Sequence, residues 1–263
     1  MPASNSRGEG PTDCPVEGQV EDAAQPADIL RTTAWALASG RNGHTVRCTP
    51  RRRTVMGTMT GPMTGPMMGA DNGGLVFAKV RRGRRRDAAA EWRWLHELPR
   101  LGLATPVPLW CGRVGRETVL TTRAAPGRPL DALLAAAVAA GEGALAMHFA
   151  ARVIAPQIRR LHEAGIVFRD LYWNHLFARD LHADAVLFLD VERVFRPRCR
   201  RRRWIVKDLA GLLASAPAGL PRSAPLRFLL ALLPPSDRAA APALARAVAA
   251  KAARIRAHVP KYG

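Results

Sequence analysis

Acidic side chains are scarce: the 263 residues carry 21 Asp and Glu against 40 Lys and Arg, a formal net charge of +19. That balance disfavours a cationic partner and points to an anionic one, whether nucleic acid, an acidic membrane leaflet or a phosphorylated substrate. Closely spaced cysteines are missing as well. Cys14, Cys48, Cys111 and Cys199 stand far apart, without the C-x-x-C spacing of a zinc or redox site, and read as free thiols of a reducing compartment. No run of 18 apolar residues occurs, and the first ten residues lack the apolar core of a secretory signal, so neither a membrane span nor export is expected. Aromatics amount to only 6%, and Trp204 alone stands beside the densest arginine run, which leaves a stacking platform for single-stranded nucleic acid unsupplied.

What is present is 48% hydrophobic content, enough over this length for one sizeable core or two small lobes. Residues 1–28, rich in Pro, Gly, Ser and acids, read as a disordered tail. Met56 to Gly69 repeats Thr-Gly-Pro-Met. Its glycines suit a loop over phosphates, but Pro62 and Pro66 remove amide donors and the G-x-G-x-x-G spacing is absent, so an expanded low-complexity turn is the expectation. Leu75-Val76-Phe77-Ala78-Lys79-Val80 reads as a strand with an embedded lysine, and Ala88 to Leu98 as a helix stopped by Pro99 and Gly102. Glu91, in that helix's first turn, is a candidate partner for Lys79: an ammonium beside phosphates needs an acid to orient it. A connector and strand over 106–122 lead to Ala125-Pro126-Gly127-Arg128-Pro129, read as a hinge between lobes. Helices follow over 130–140 and 144–164, the second expected to kink at Pro156, with further helices over 226–234 and 240–256.

The chemistry concentrates after Gly165. Ile166-Val167-Phe168 reads as a short buried strand opening into Arg169-Asp170-Leu171-Tyr172-Trp173-Asn174-His175, and Val186-Leu187-Phe188-Leu189 ends in Asp190, 20 residues past Asp170. The order strand, Arg-Asp loop, polar turn, apolar strand, Asp is that of a kinase catalytic loop followed by a magnesium-binding aspartate. In that arrangement Asp170, with Arg169 beside it, accepts or orients the proton of the acceptor hydroxyl. Asp190 holds Mg²⁺ against the nucleotide phosphates.

Leu161-His162-x-x-Gly165, Arg169-Asp170-Leu171-Tyr172-x-x-His175-Leu176, Leu189-Asp190-Val191-x-Arg193 and Arg203-Trp204-x-Val206-Lys207-Asp208-Leu209-Ala210 resemble the lipopolysaccharide kinase (Kdo/WaaP) family, a protein-kinase-like group. The resemblance implies an α+β, two-lobed protein-kinase-like fold: a small β-rich N-terminal lobe over 29–125 and a helical C-terminal lobe over 126–263. It implies ATP and Mg²⁺ as cofactors and phosphorylation of an inner-core sugar, heptose or Kdo, of lipopolysaccharide or a related anionic glycolipid, in the cytoplasm or at the inner-membrane face. By position, Asp170 is the catalytic aspartate, Asp190 with His175 and Asn174 the metal set, Lys79 and Glu91 the nucleotide pair, and Asp208 the support of the catalytic loop. His175 stands where many kinases carry a metal-binding Asn, and Asn174 falls one position early.

Arg196 to Arg203 holds six arginines. Arginine forks grip phosphate, so Arg200, Arg201, Arg202 and Arg203 are candidates for binding the acceptor's anionic groups or the membrane around it, against the plainer reading of a solvated loop. Other readings stay open from sequence: a small-molecule or protein kinase of the same fold, a pseudokinase, or a nonspecific nucleic-acid binder, although no specific nucleic-acid partner is expected.

Overall fold

A computed structural model describes residues 27–41, 43–49, 52–58, 74–82 and 88–258. The Thr-Gly-Pro-Met repeat beyond Thr58, the arginines at 84–86 and the tail to residue 26 lie outside these. Two compact units emerge. One holds the residues up to Arg93 together with Val107–Ala124, and the other Trp94–Pro106 together with the chain from Ala125 onward.

The first unit contains helix α1 (Ala27–Ala38) and strands β1 (Gly43–Thr49), β2 (Arg52–Thr58) and β3 (Leu75–Arg82). Helix α2 (Ala89–Arg100) begins in it, and β4 (Pro108–Val114) and β5 (Glu117–Arg123) complete it. The strands form an antiparallel sheet in the order β1-β2-β3-β5-β4. Alternation in β3 buries Val76, Ala78 and Val80, and Leu30, Ala34, Leu37 and Ala38, one face of α1 at helical spacing, pack over them with Val55, Val119 and Trp110. Helix α1 starts two residues inside the segment read as a tail. Glu117 on β5 takes Arg53 at 2.9 Å and Arg82 at 2.7 Å, tying three strands together. Burial pushes its carboxyl upward, but hydrogen bonds from Arg82 and Arg53 outweigh this and hold it below its ordinary value.

The second unit is mainly helical. It holds β6 (Arg128–Pro129), α3 (Leu130–Ala139), α4 (Gly143–Phe149), α5 (Ala155–Glu163), β7 (Leu176–Ala178), β8 (Leu187–Phe188), α6 (Arg201–Ser215), α7 (Ala224–Leu232) and α8 (Ala241–Arg256). The kink expected at Pro156 takes another form: a wide π turn over Ala150–Ile154 joins α4 to α5. Proline has no N–H to return to the preceding turn, and the backbone meets this by widening just upstream. The expected strand over 166–168 reduces to one bridge, Val167 with Phe195. Among the cysteines, Cys48 and Cys199 are free thiols but Cys111 is disulfide-bonded, which corrects the reading of four free thiols. Separation along the chain does not limit pairing once the chain folds.

Candidate active site

The catalytic loop of the second unit is held from beneath by one buried carboxylate. Asp208, on α6 and fully buried, accepts the backbone N–H of Phe168 at 2.8 Å and of Arg169 at 2.7 Å, and meets His162 Nε2 at 3.2 Å. These bonds hold Arg169 at φ +74°, in the left-handed region that side chains larger than glycine seldom adopt. Phe168, which stands where kinases commonly place histidine, is buried with its ring 5.9 Å from Phe188. It serves packing.

Asp170 follows at once, and two cations meet it. Arg193 Nη1 donates to Oδ2 at 2.5 Å, and Lys207 Nζ donates to Oδ1 at 3.3 Å and also to the Arg169 carbonyl. Sequence reasoning missed both as functional side chains, although each lies inside a quoted motif, Leu-Asp-Val-x-Arg and Trp-x-Val-Lys-Asp. In so arginine-rich a chain, no single cation stands out by its type. Tyr172 lies nearby; burial and then the Asp170 charge push its phenol above the ordinary 10.0, against an opposing pull from Arg193. It remains a neutral hydroxyl at physiological pH.

The hairpin of β7 and β8 carries Asp190 toward this loop. Leu176 pairs with Phe188 and Phe177 with Leu187, and the Leu189 N–H donates to the His175 carbonyl at 2.8 Å. Asp190 then takes φ +57°, a left-handed conformation that aspartate tolerates better than most residues. His175 Nδ1 lies 2.8 Å from the Asp170 carbonyl, which can only accept, so Nδ1 is the donor of this bond. Asn174 is exposed in the turn Trp173–His175. Among the described residues no three His, Cys, Asp or Glu side chains gather into a ready-made metal cage. Mg²⁺ in phosphoryl-transfer sites is usually held by one or two carboxylates with substrate phosphates and water, which the Asp190 oxygens fit better than an imidazole nitrogen does.

In the first unit, Lys79 Nζ bonds Glu91 Oε1, and Arg81 bonds the other oxygen, Oε2. Glu91 is 3% exposed and Arg81 is buried beside it, whereas Lys79 keeps 19% of its side chain open. Arg81, after Arg193 and Lys207, is a third residue that sequence reasoning did not single out.

The four candidate arginines separate. Arg201 donates to the His162 carbonyl and Arg200 lies exposed in a left-handed conformation before α6, while Arg202 and Arg203 line a groove of about 840 Å³ with Arg169, Arg193 and Lys207. Arg196 pairs with Glu97 at 2.9 Å and stacks over Trp94. No helix among the described residues is long and apolar enough to cross a membrane.

A sequence model of the lipopolysaccharide kinase (Kdo/WaaP) family matches residues 78–229, more than half of the chain. Among solved structures, a WaaP structure in complex with acyl carrier protein is similar over 90% of this chain and 98% of that one, with 21% identity and a TM-score of 0.67. That likeness bears on the fold, and agrees with the kinase-like α+β architecture. No curated protein matches the chain.

Proposed function

For a phosphotransferase that belongs to the lipopolysaccharide kinase (Kdo/WaaP) family, we propose transfer of the γ-phosphoryl group of ATP to a sugar hydroxyl, of heptose or Kdo, in the lipopolysaccharide inner core or a related lipid-linked glycan. The observation that carries this reading is Asp170, fixed at the end of a loop that Asp208 clamps and met on both carboxylate oxygens by cations.

Phosphoryl transfer demands little covalent chemistry from a protein and much positioning, because charge spreads over the transferring oxygens in a loose transition state. Asp170 orients the acceptor hydroxyl and accepts its proton. Arg193 and Lys207 are placed to share negative charge as it shifts from Asp170 toward the transferring group. Lys79, oriented by Glu91, holds nucleotide phosphates, and Arg81 keeps Glu91 from turning away. Asp190 is the residue that would hold Mg²⁺, whose contribution is to neutralise phosphate charge. His175, through its Nδ1 bond to the loop, fixes the Asp170 backbone. With 40 Lys and Arg and no spanning helix among the described residues, we place the enzyme in the cytoplasm or against the anionic inner leaflet where its acceptor is assembled.

The test is transfer from labelled ATP to inner-core glycolipids, free sugars, aminoglycosides and generic protein. Label is expected in the glycolipids, and Asp170→Asn is expected to lower the rate roughly 10²–10⁴-fold with folding intact. Label confined to protein or to aminoglycosides would overturn the acceptor assignment.

A further inference from the structure

The groove beside Asp170 is finished by a helix that the family match, ending at residue 229, does not reach. Lys251 and Arg254, one turn apart on α8, line the same 840 Å³ space as Arg202, Arg203 and Lys207 of α6. Among the described residues no acidic side chain lines it. Among the described residues no carboxylate is paired with Arg202, Arg203, Lys251 or Arg254, so four cations converge without internal neutralisation. Like charges crowded on facing helices repel, and such an arrangement is relieved by a polyanion between them. The volume falls within the usual range of small-ligand sites.

Two further observations define the ligand. Lys207 lines the groove and also contacts Asp170, so one side chain joins the anion-binding surface to the catalytic carboxylate. Trp204 lines the groove as its aromatic member, with Phe195 edge-on at 5.0 Å and the guanidinium groups of Arg169 and Arg203 over its ring, 5.9 and 5.6 Å from the centroid. An aromatic surface among cations suits a sugar ring that bears anionic substituents.

We propose that α8 completes an acceptor subsite for a second anionic group, a phosphate or carboxylate already present on the glycan when its hydroxyl is phosphorylated. Lys251 and Arg254, with Arg202 and Arg203, bind that group and set which sugar faces Asp170. The reaction therefore follows a step that phosphorylates the glycan or attaches an acidic sugar. This inference rests on the kinase reading above.

The test pairs a binding arm with a kinetic arm on the full chain. In the first, a glucosamine disaccharide bisphosphate and its dephosphorylated counterpart are titrated without ATP into wild type, Lys251→Ala/Arg254→Ala and the conservative Lys251→Arg/Arg254→Lys. The bisphosphate is expected to bind wild type and the conservative variant at least tenfold more tightly than the neutral sugar. The alanine pair is expected to lose ~10–100-fold of that affinity, the worth of charge-assisted hydrogen bonds at a partly exposed site. In the second, KM for an anionic acceptor is expected to rise by a similar factor in the alanine pair, with kcat and KM for ATP nearly unchanged and a neutral acceptor unaffected. Equal binding of charged and neutral sugars, or an alanine pair matching wild type, overturns the proposal and leaves the kinase reading intact. Loss of binding to vesicles containing phosphatidylglycerol, with glycan binding unchanged, also overturns it by assigning the surface to the membrane. If wild type phosphorylates no glycan yet binds the bisphosphate through these two side chains, the acceptor reading of the preceding section falls and the anion site stands.

Discussion

Asp208 shows how one buried side chain governs the placing of another carboxylate, Asp170, through the backbone that leads to it. Its two oxygens satisfy the N–H groups of Phe168 and Arg169, and without them Arg169 has little reason to remain at φ +74°. Asp208→Ala leaves two buried N–H donors and His162 unpaired, and is expected to cost about 3 kcal/mol of stability. Asp208→Asn keeps the shape but brings an NH₂ group against these donors. It should lower kcat more than its shift in urea midpoint explains, since the loop relaxes even where the fold survives; equal kcat in the folded fraction would refute this role. At this scale, the sequence exposes residues whose type is rare in context. Lys79, Glu91, Asp170 and Asp190 stand out among apolar runs, so they could be named from order and spacing, whereas Asp208 was named only through the family resemblance of its Trp-x-Val-Lys-Asp motif. Arg81, Arg193 and Lys207 could not, because in a chain with 40 Lys and Arg only the folded geometry says which cation meets which acid.

At the scale of elements, α6 presses against the catalytic loop at Gly211. A Cβ there would lie 2.4 Å from the Leu171 carbonyl oxygen, a backbone atom that cannot swing aside. Two effects compete. Alanine gains up to about 1 kcal/mol of helix propensity over glycine, whereas overpacking typically costs about 1–3 kcal/mol. The clash is with backbone of the loop carrying Asp170, so Gly211→Ala is expected to destabilise the protein by about 1–2 kcal/mol in urea unfolding and to lower kcat at least tenfold. A stabilised, active variant would show that the loop yields without consequence. Elements with one clear periodicity, such as β3, β5, α3, α7 and α8, were readable from sequence nearly to their ends. Strand β1 was not, because every one of its residues is exposed and no alternation marks a buried face. Helix α1 hid behind a polar, proline-containing stretch, its small buried Ala34 and Ala38 giving little apolar contrast.

Across the whole molecule, charge sets the response to pH and salt differently in different places. In the sheet of the first unit, the lowered pKa of Glu117 means that the folded form binds its proton less readily than the unfolded chain does. Its contribution is therefore present above the ordinary value of 4.5 and is lost as pH falls through the lower folded value. Glu117→Gln should remove that part of the acid limb, so that the stability difference between wild type and variant shrinks below pH 4.5; a constant difference down to the acid transition would rule the linkage out. The net charge of +19 acts on a longer range. It attracts any polyanion, and binding to nucleic acid through several phosphates should weaken by roughly 10³-fold or more between about 50 and 200 mM salt, as counterions cease to be released at a profit in entropy. A glycan bisphosphate brings two phosphates to the groove, so it releases fewer counterions than nucleic acid bound through many. Binding of a glycan bisphosphate should therefore show the shallower log–log slope with salt, measured on the same preparation by titration at four or five ionic strengths. A slope as steep as that for nucleic acid would mean that the groove reads only net charge, and that sugar recognition lies elsewhere.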